Sequence, residues 1–342
     1  MKSNGASSPI PSESPLNIAC PLCRAPEAEA RALGRDRLFG LAQGRFSLFR
    51  CLSCGSVYQF PLPEAADLTR YYPQEYWWSE ESIAKRNLAG LFLRFERVYR
   101  EFVVRDHVNF LVRCARKNKI RGKRLLDIGC GSGTFLHIAQ SYGFQPHGMD
   151  MSLQAVEIIK RQYGYDVKQG EIGSRIWDAR RFDVITMFHV LEHLADPRKA
   201  LKYATELLQP KGMLIIQVPN ISSIQARLFG KFWYGLDVPR HVINFTPKAL
   251  GILLDEMGLE FHITSRFSLR DNPASIASSL IPWLDPIRRK VRGRKTHPAF
   301  NGAMEAAYFA LYLSAIPPAF LESVCGLGGT IWASARLRTT ES

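Results

Sequence analysis

The run RLLDIGCGSGTFL, from Arg124 to Leu136, restricts the fold more than any other part of the chain. A short apolar strand leads into glycines at alternate positions, Gly129, Gly131 and Gly133, and then directly into a helix-forming stretch. Glycines placed there let the backbone turn sharply and let a ligand approach the main chain at the carboxyl end of a strand. The chain beyond Leu136 keeps the same rhythm. Strands are expected at residues 147–150, 166–169, 182–187 and 212–218, with helices starting near Thr134 and Leu153 and another over residues 194–208. Strands alternating with helices make a parallel sheet covered on both faces. The run GMLIIQV is nearly all apolar, as a central buried strand should be. The expected fold class is therefore α/β, a doubly wound, Rossmann-like sheet.

Two acids narrow the ligand. Asp127 sits inside the first strand, and Asp150 closes the next, where a carboxylate can accept hydrogen bonds from both hydroxyls of a ribose. A nicotinamide dinucleotide would call for G-x-G-x-x-G with its pyrophosphate on the helix start, whereas this chain has G-x-G-x-G beside an acid. S-adenosylmethionine, which carries a sulfonium and no phosphate, suits that pattern better.

At these residues the chain resembles class I S-adenosylmethionine-dependent methyltransferases, in particular the ubiquinone-biosynthesis O-methyltransferase branch (methyltransferase types 11 and 12). The resemblance covers residues 124–254 and the last strand. It implies cofactor binding by Asp127, Gly129, Gly131, Gly133 and Asp150, with Met151 touching the adenosine. The signature FDVITMFHVLEHLADP implies that Phe188, His189 and Val190 border the methionine end. Gln169 to Glu171 would lie near the adenine, with Glu171 where the family more usually has Asp. Methyl transfer is an in-line displacement at an activated carbon, so the protein positions the nucleophile and, where needed, takes its proton. His189 and His241 are the favoured catalytic residues. Glu192 and His193 are further candidates, equally readable as a first-turn acid and a surface histidine of the next helix. MFHVLEHL stands where amino-methylating enzymes of nucleic-acid bases carry an Asp/Asn-Pro-Pro-aromatic motif, which disfavours that chemistry.

Cys20 and Cys23, then Cys51 and Cys54, form two C-x2-C pairs. Each pair makes a tight turn that points two thiolates at one point, and the two together complete a tetrahedral site for a structural Zn²⁺. Such a site is closed, so these cysteines are assigned no catalytic role.

The expected organisation is a disordered tail at residues 1–15, a zinc ribbon at 16–62, and an aromatic segment with a helical cap at 63–120. A cofactor-binding core over 121–270, a basic and apolar helical insertion over 271–325 and a final core strand within 326–338 complete it. Tyr71, Tyr72, Tyr76 and Trp77 read either as lid residues or as packing between ribbon and core. Leu91, Phe95, Val98 and Phe102 recur at helical spacing in a helix expected to run to about Lys117. In the insertion, Arg288, Arg289, Lys290, Arg292, Arg294 and Lys295 precede the apolar run AAYFALYLSAIPPAF, expected to break at Pro317 and Pro318 and to be too short to span a bilayer.

The formal net charge of +14 draws an anionic partner without naming it. Since the first residues lack the apolar core of a signal peptide, the expected location is cytoplasmic, with peripheral contact at the anionic inner face of the membrane. The ribbon, the YYPQEYW-type segment and the GLGGTI-type last strand resemble a subset found with bacterial glycan pathways. That implies a small-molecule or glycan acceptor: a sugar, nucleotide sugar or lipid-linked glycan, methylated on oxygen or carbon. Two alternatives stay open, RNA methylation, which ribbon and charge would suit, and S-adenosylmethionine binding without chemistry. Nucleic acid is not the expected partner.

Overall fold

The computed structural model describes residues 16–63, 70–71, 88–177, 180–293 and 298–338. The described chain opens with four short strands, β1 (Leu16–Asn17), β2 (Glu27–Gly34), β3 (Phe46–Cys51) and β4 (Val57–Gln59). Helix α1 (Leu88–Lys117) leads into β5 (Arg124–Ile128), α2 (Thr134–Ser141), β6 (Gln145–Asp150), α3 (Leu153–Tyr163), β7 (Asp166–Gln169) and β8 (Phe182–Phe188). Then come α4 (Pro197–Leu207), β9 (Leu208–Pro219), α5 (Ile224–Phe229), β10 (Ile243–Asn244), α6 (Pro247–Glu256) and β11 (Leu259–Arg266). Helices α7 (Asn272–Leu280), α8 (Pro286–Val291) and α9 (Pro298–Val324) precede the last strand, β12 (Thr330–Leu337).

The main sheet has seven strands in the order β11-β12-β9-β8-β5-β6-β7, with β12 antiparallel to both its neighbours and the rest of the ladder parallel. Its centre is β5, β8 and β9, whose apolar side chains are buried on both faces. One face packs against α1, α2 and α3 through Val108, Leu111, Leu136 and Ile159, with Trp332 of β12 in the same cluster. The other packs against α4 and α6 through Leu201, Leu250 and Leu253. The doubly wound α/β class read from the sequence is the class observed. Strand β11 was not foreseen: LEFHITSR alternates apolar and polar residues at the edge of the sheet and lacks the continuous apolar run that marks the inner strands.

Helix α4 begins at Pro197, later than expected, because the Asp196 side chain accepts from Lys199 N–H at 3.0 Å and caps it there. Leu191 to His193 instead form a separate single 3₁₀ turn, which takes Glu192 and His193 off the helix altogether.

The ribbon is woven into the core. Strand β10 pairs antiparallel with β4, Ile243 opposite Tyr58 and Asn244 opposite Val57, so the ribbon sheet β1-β2-β3-β4-β10 ends on a strand of the core. Leu22, Phe49 and Tyr58 share one apolar cluster with α4 and α6.

The insertion corrects one expectation. Helix α9 runs unbroken for 27 residues through Pro317 and Pro318, about 40 Å of helix. Its buried residues Tyr312, Ala315, Ala319 and Glu322 recur at helical spacing, and the helix packs on α7, while both prolines face outward. Packing on that stripe therefore outweighs the helix hydrogen bonds the prolines remove. By length and composition, Phe300–Val324 is apolar enough to cross a membrane.

Candidate active site

Strand β5 and the loop after it build the first half of the site. Gly129 and Gly131 have φ of 78° and 50°, in the left-handed region that glycine adopts without strain. A Cβ on Gly129 would stand 2.7 Å from Val190, whereas one on Gly131 would meet nothing within 4 Å, so the loop is packed on one side and open on the other. Asp150 at the end of β6 ties this loop down: Gly131 N–H donates to its Oδ2 and Ser152 N–H to its Oδ1, both at 2.9 Å. Each carboxylate oxygen keeps a second lone pair for a ligand hydroxyl. Asp127 is buried beneath the loop and accepts from Thr186 Oγ1 at 2.6 Å. Burial pushes its carboxyl up to about 7, and the neighbouring Asp150 charge adds to the shift. Met151 is exposed, and Gln169 Nε2 donates to its carbonyl at 3.3 Å.

The second half starts where β8 ends. His189 has a positive φ of 56°, and its N–H donates to the Gln217 carbonyl of β9 at 2.9 Å. Its ring lies between two carboxylates, Nδ1 at 3.0 Å from Glu192 Oε1 and Nε2 at 3.3 Å from Asp271 Oδ2. Burial alone would lower its pKa, but the two acids outweigh it and raise the imidazole to about 10. Asp271 correspondingly lies well below the usual carboxylate range, against the pull of its burial, because His189 faces it. Asp271 also accepts from Ser268 Oγ at 2.6 Å and from Gln217 Nε2 at 2.9 Å. That orients the amide, so His107 Nε2–H donates to Gln217 Oε1 at 2.6 Å. Burial pushes the His107 imidazole down to about 3. Phe188 packs edge-on against His107 of α1 and Phe135 of α2.

His241, the other expected catalytic histidine, joins the same group through Glu192. It stacks edge-on to His193, ring centroids 4.7 Å apart, and the two histidines bring ring nitrogens within 4.8 Å of a Glu192 carboxylate oxygen. The ribbon holds the loop that carries it. Gln59 Nε2 donates to the carbonyls of Pro239 and His241 at 2.8 and 3.2 Å, and Gln59 N–H to that of Val242 at 3.0 Å. Val242 N–H in turn donates to the Glu192 carbonyl at 2.8 Å. Arg240 is fully buried, its guanidinium bonded to Asp36 of the ribbon and to Asp237, and lies 4.1 Å over the Phe39 ring.

Cys20, Cys23, Cys51 and Cys54 converge, with Sγ separations of 3.7 Å for Cys20–Cys54 and 3.5 Å for Cys23–Cys51. Tetrahedral Zn²⁺ with thiolate bonds of about 2.3 Å would set its ligand atoms about 3.8 Å apart, so this donor set fits the ion. Arg24 and Gly55, each just past a C-x2-C turn, take matching left-handed conformations.

Of the aromatic segment, Tyr71 packs edge-on against Phe46 of the ribbon, while Tyr72, Tyr76 and Trp77 lie outside the described residues, as do Arg294 and Lys295. His107, Gln217 and Asp271 were missed by sequence reasoning. None belongs to a local pattern, and only the closeness of α1, β9 and the start of α7 makes them one group.

Residues 97–262 match the family described as methyltransferase domain. Among curated relatives, the ubiquinone biosynthesis O-methyltransferase of Coxiella burnetii (strain Dugway 5J108-111) is 31% identical over 135 residues, 38% of this chain and 55% of that protein. The protein of the same name from Paraburkholderia phymatum is 32% identical over 116 residues, 32% of this chain and 50% of that one. The chain thus spans about half the length of the curated relatives it matches. Among solved structures, a SAM-dependent methyltransferase from Archaeoglobus fulgidus aligns over 71% of this chain and 98% of its own, at 16% identity and a TM-score of 0.43.

Proposed function

With residues 97–262 a methyltransferase domain as premise, we propose that the chain transfers a methyl group from S-adenosylmethionine to an oxygen or carbon of a small acceptor. One observation carries this reading: Asp150 fastens the open glycine loop through Gly131 N–H and keeps lone pairs at the end of β6 for a ribose, next to the buried acid Asp127. Asp127, Gly129, Gly131, Gly133, Asp150, Met151, Phe188 and His189 would line the cofactor, whose sulfonium supplies the activated methyl. The four ribbon cysteines would hold a structural Zn²⁺ that stabilises the fold and takes no part in the chemistry.

On the acceptor side, His189 is poorly placed to act as a base, since Glu192 and Asp271 face its two ring nitrogens. Handling of the acceptor's proton then falls to the group around His241. The acceptor class we favour is a sugar, nucleotide sugar or lipid-linked glycan. The uncharged outward face of α9, with Leu313, Phe320 and Leu321 exposed, supports one met at a membrane surface.

Titration calorimetry of the zinc-loaded protein with S-adenosylmethionine tests the core of this reading. Micromolar binding is expected, weakened about 100-fold in Asp150→Ala as charge-assisted hydrogen bonds are lost. No binding by the intact protein would overturn the proposal. Methyl transfer assayed on soluble nucleotide sugars and on lipid-linked glycans in vesicles then separates the acceptor classes.

A further inference from the structure

Glu192, His193 and His241 bring a carboxylate oxygen and two ring nitrogens within 4.8 Å of one another. Glu192 is fully buried; His189 Nδ1 takes its Oε1 at 3.0 Å, while Oε2, equally buried, has no hydrogen-bond partner. An ionised oxygen left so would carry a desolvation cost that a bound cation removes. The histidines are set up to match. His193 Nδ1–H donates to the Arg240 carbonyl at 3.1 Å and His241 Nδ1–H to the Gly235 carbonyl at 2.7 Å. Both bonds fix the tautomer that carries its lone pair on Nε2, the arrangement in which a metal-ligating histidine donates its outer N–H to a carbonyl. His189 does the equivalent for Glu192 by holding its other oxygen.

We propose that Glu192, His193 and His241 bind one divalent transition-metal cation, separate from the ion of the ribbon. Two imidazoles and a carboxylate suit Zn²⁺, Mn²⁺ or Fe²⁺, and three protein ligands leave coordination positions open, unlike the closed thiolate set. Ligand atoms around such an ion stand about 3.4 Å apart, so the three side chains would close by roughly 1 Å on binding. The site deepens the methyltransferase reading and rests on it for its chemistry, though not for its binding. An acceptor hydroxyl at the open position would lose its proton to water more readily. Its oxygen then attacks the methyl carbon, and the carbon–sulfur bond breaks with the electron pair remaining on sulfur.

The test titrates Co²⁺ into protein that retains its ribbon zinc, read by optical absorption and by metal stoichiometry, with Mn²⁺ binding followed by electron paramagnetic resonance. One further equivalent of metal is expected in the wild type, without thiolate-to-cobalt charge transfer. Glu192→Gln and His241→Ala should each weaken it at least tenfold while ribbon zinc stays unchanged, and His241→Ala should leave S-adenosylmethionine affinity as in the wild type. Wild-type protein that takes up no second equivalent overturns the proposal without reference to any variant, as does a second equivalent undiminished in both variants. Calorimetry with S-adenosylmethionine on the same samples keeps the two readings apart: cofactor binding without the second metal sinks this site alone, and the second metal without cofactor binding sinks the proposed function.

Discussion

At the proposed cofactor end, the groups that would meet S-adenosylmethionine come mostly from residues 127–133, Asp150 and Met151, on and after the adjacent strands β5 and β6, with Phe188 and His189 added from the end of β8. The proposed acceptor end draws His107 from α1, Glu192 from the turn after β8, Gln217 from β9, His241 from the loop before β10 and Asp271 from the start of α7. The first is fastened by main-chain N–H groups of the glycine loop and of Ser152 donating to the Asp150 carboxylate on the neighbouring strand, the second by side chains that meet across the molecule and by the ribbon. Gln59, Asp36 and Cys54 each reach the segment from Pro239 to Thr246, Cys54 through its carbonyl, which accepts from Thr246 Oγ1 at 2.7 Å. The ribbon thus braces the acceptor end and leaves the cofactor end to the sheet.

The strongest way to break this comparison is to remove the ribbon's metal. Cys51→Ser takes one thiolate from a site of a kind worth about 10–16 kcal/mol in apparent binding free energy, and should release the metal and unfold the ribbon. Methyl transfer should be abolished while S-adenosylmethionine affinity changes by less than about threefold, since no ribbon residue is among those proposed to line the cofactor. Zinc analysis alongside calorimetry reads both, and loss of cofactor binding together with the metal would show that the ends are not independent.

A smaller effect is expected at the clamp between ribbon and core. Arg240→Met leaves Asp36 and Asp237 facing each other in a buried site, a loss of about 3–5 kcal/mol in urea unfolding. Recovery of most of that loss in Asp36→Asn/Arg240→Met would identify the stranded carboxylates as its source.

The smallest effect sharpens the picture of the cofactor end. With the folded-state pKa of Asp127 raised to about 7, its proton is held more tightly in the folded than in the unfolded chain. That contribution to stability is fully present below the ordinary carboxylate value and is lost as pH rises through about 7. Asp127→Asn, which still accepts from Thr186, should therefore raise the Tm of the ligand-free protein by roughly one to three degrees at pH 8 and leave it unchanged at low pH. The same variant should bind S-adenosylmethionine less tightly, because the acid beneath the loop favours a cation. A Tm equal to wild type at pH 8 would place the carboxylate's charge elsewhere in the balance.

Much of the fold was legible because its signals are local. The apolar runs of β5, β8 and β9, the glycines after β5 and the mixed β-branched run of β12 each announce their element within ten residues or so. Strand β11 escaped because an alternating edge strand carries half the apolar signal of a buried one. Helix α9 was wrongly divided, because two prolines weigh heavily in a local reading whereas the stripe from Tyr312 to Glu322 has its effect only once α7 is there to receive it.

The sequence by itself determined the class of sheet, the glycine loop with its two acids and the pairing of four cysteines, since each is set by neighbours in the chain and by the period of strand or turn. Tertiary structure alone decided what the histidines face. His189 gained a second carboxylate from Asp271, eighty-two positions away, and His241 gained Glu192 and His193 only because β10 joins the ribbon sheet and carries the preceding loop with it. Electrostatic partnership depends on distance through space, and no pattern along the chain encodes that distance.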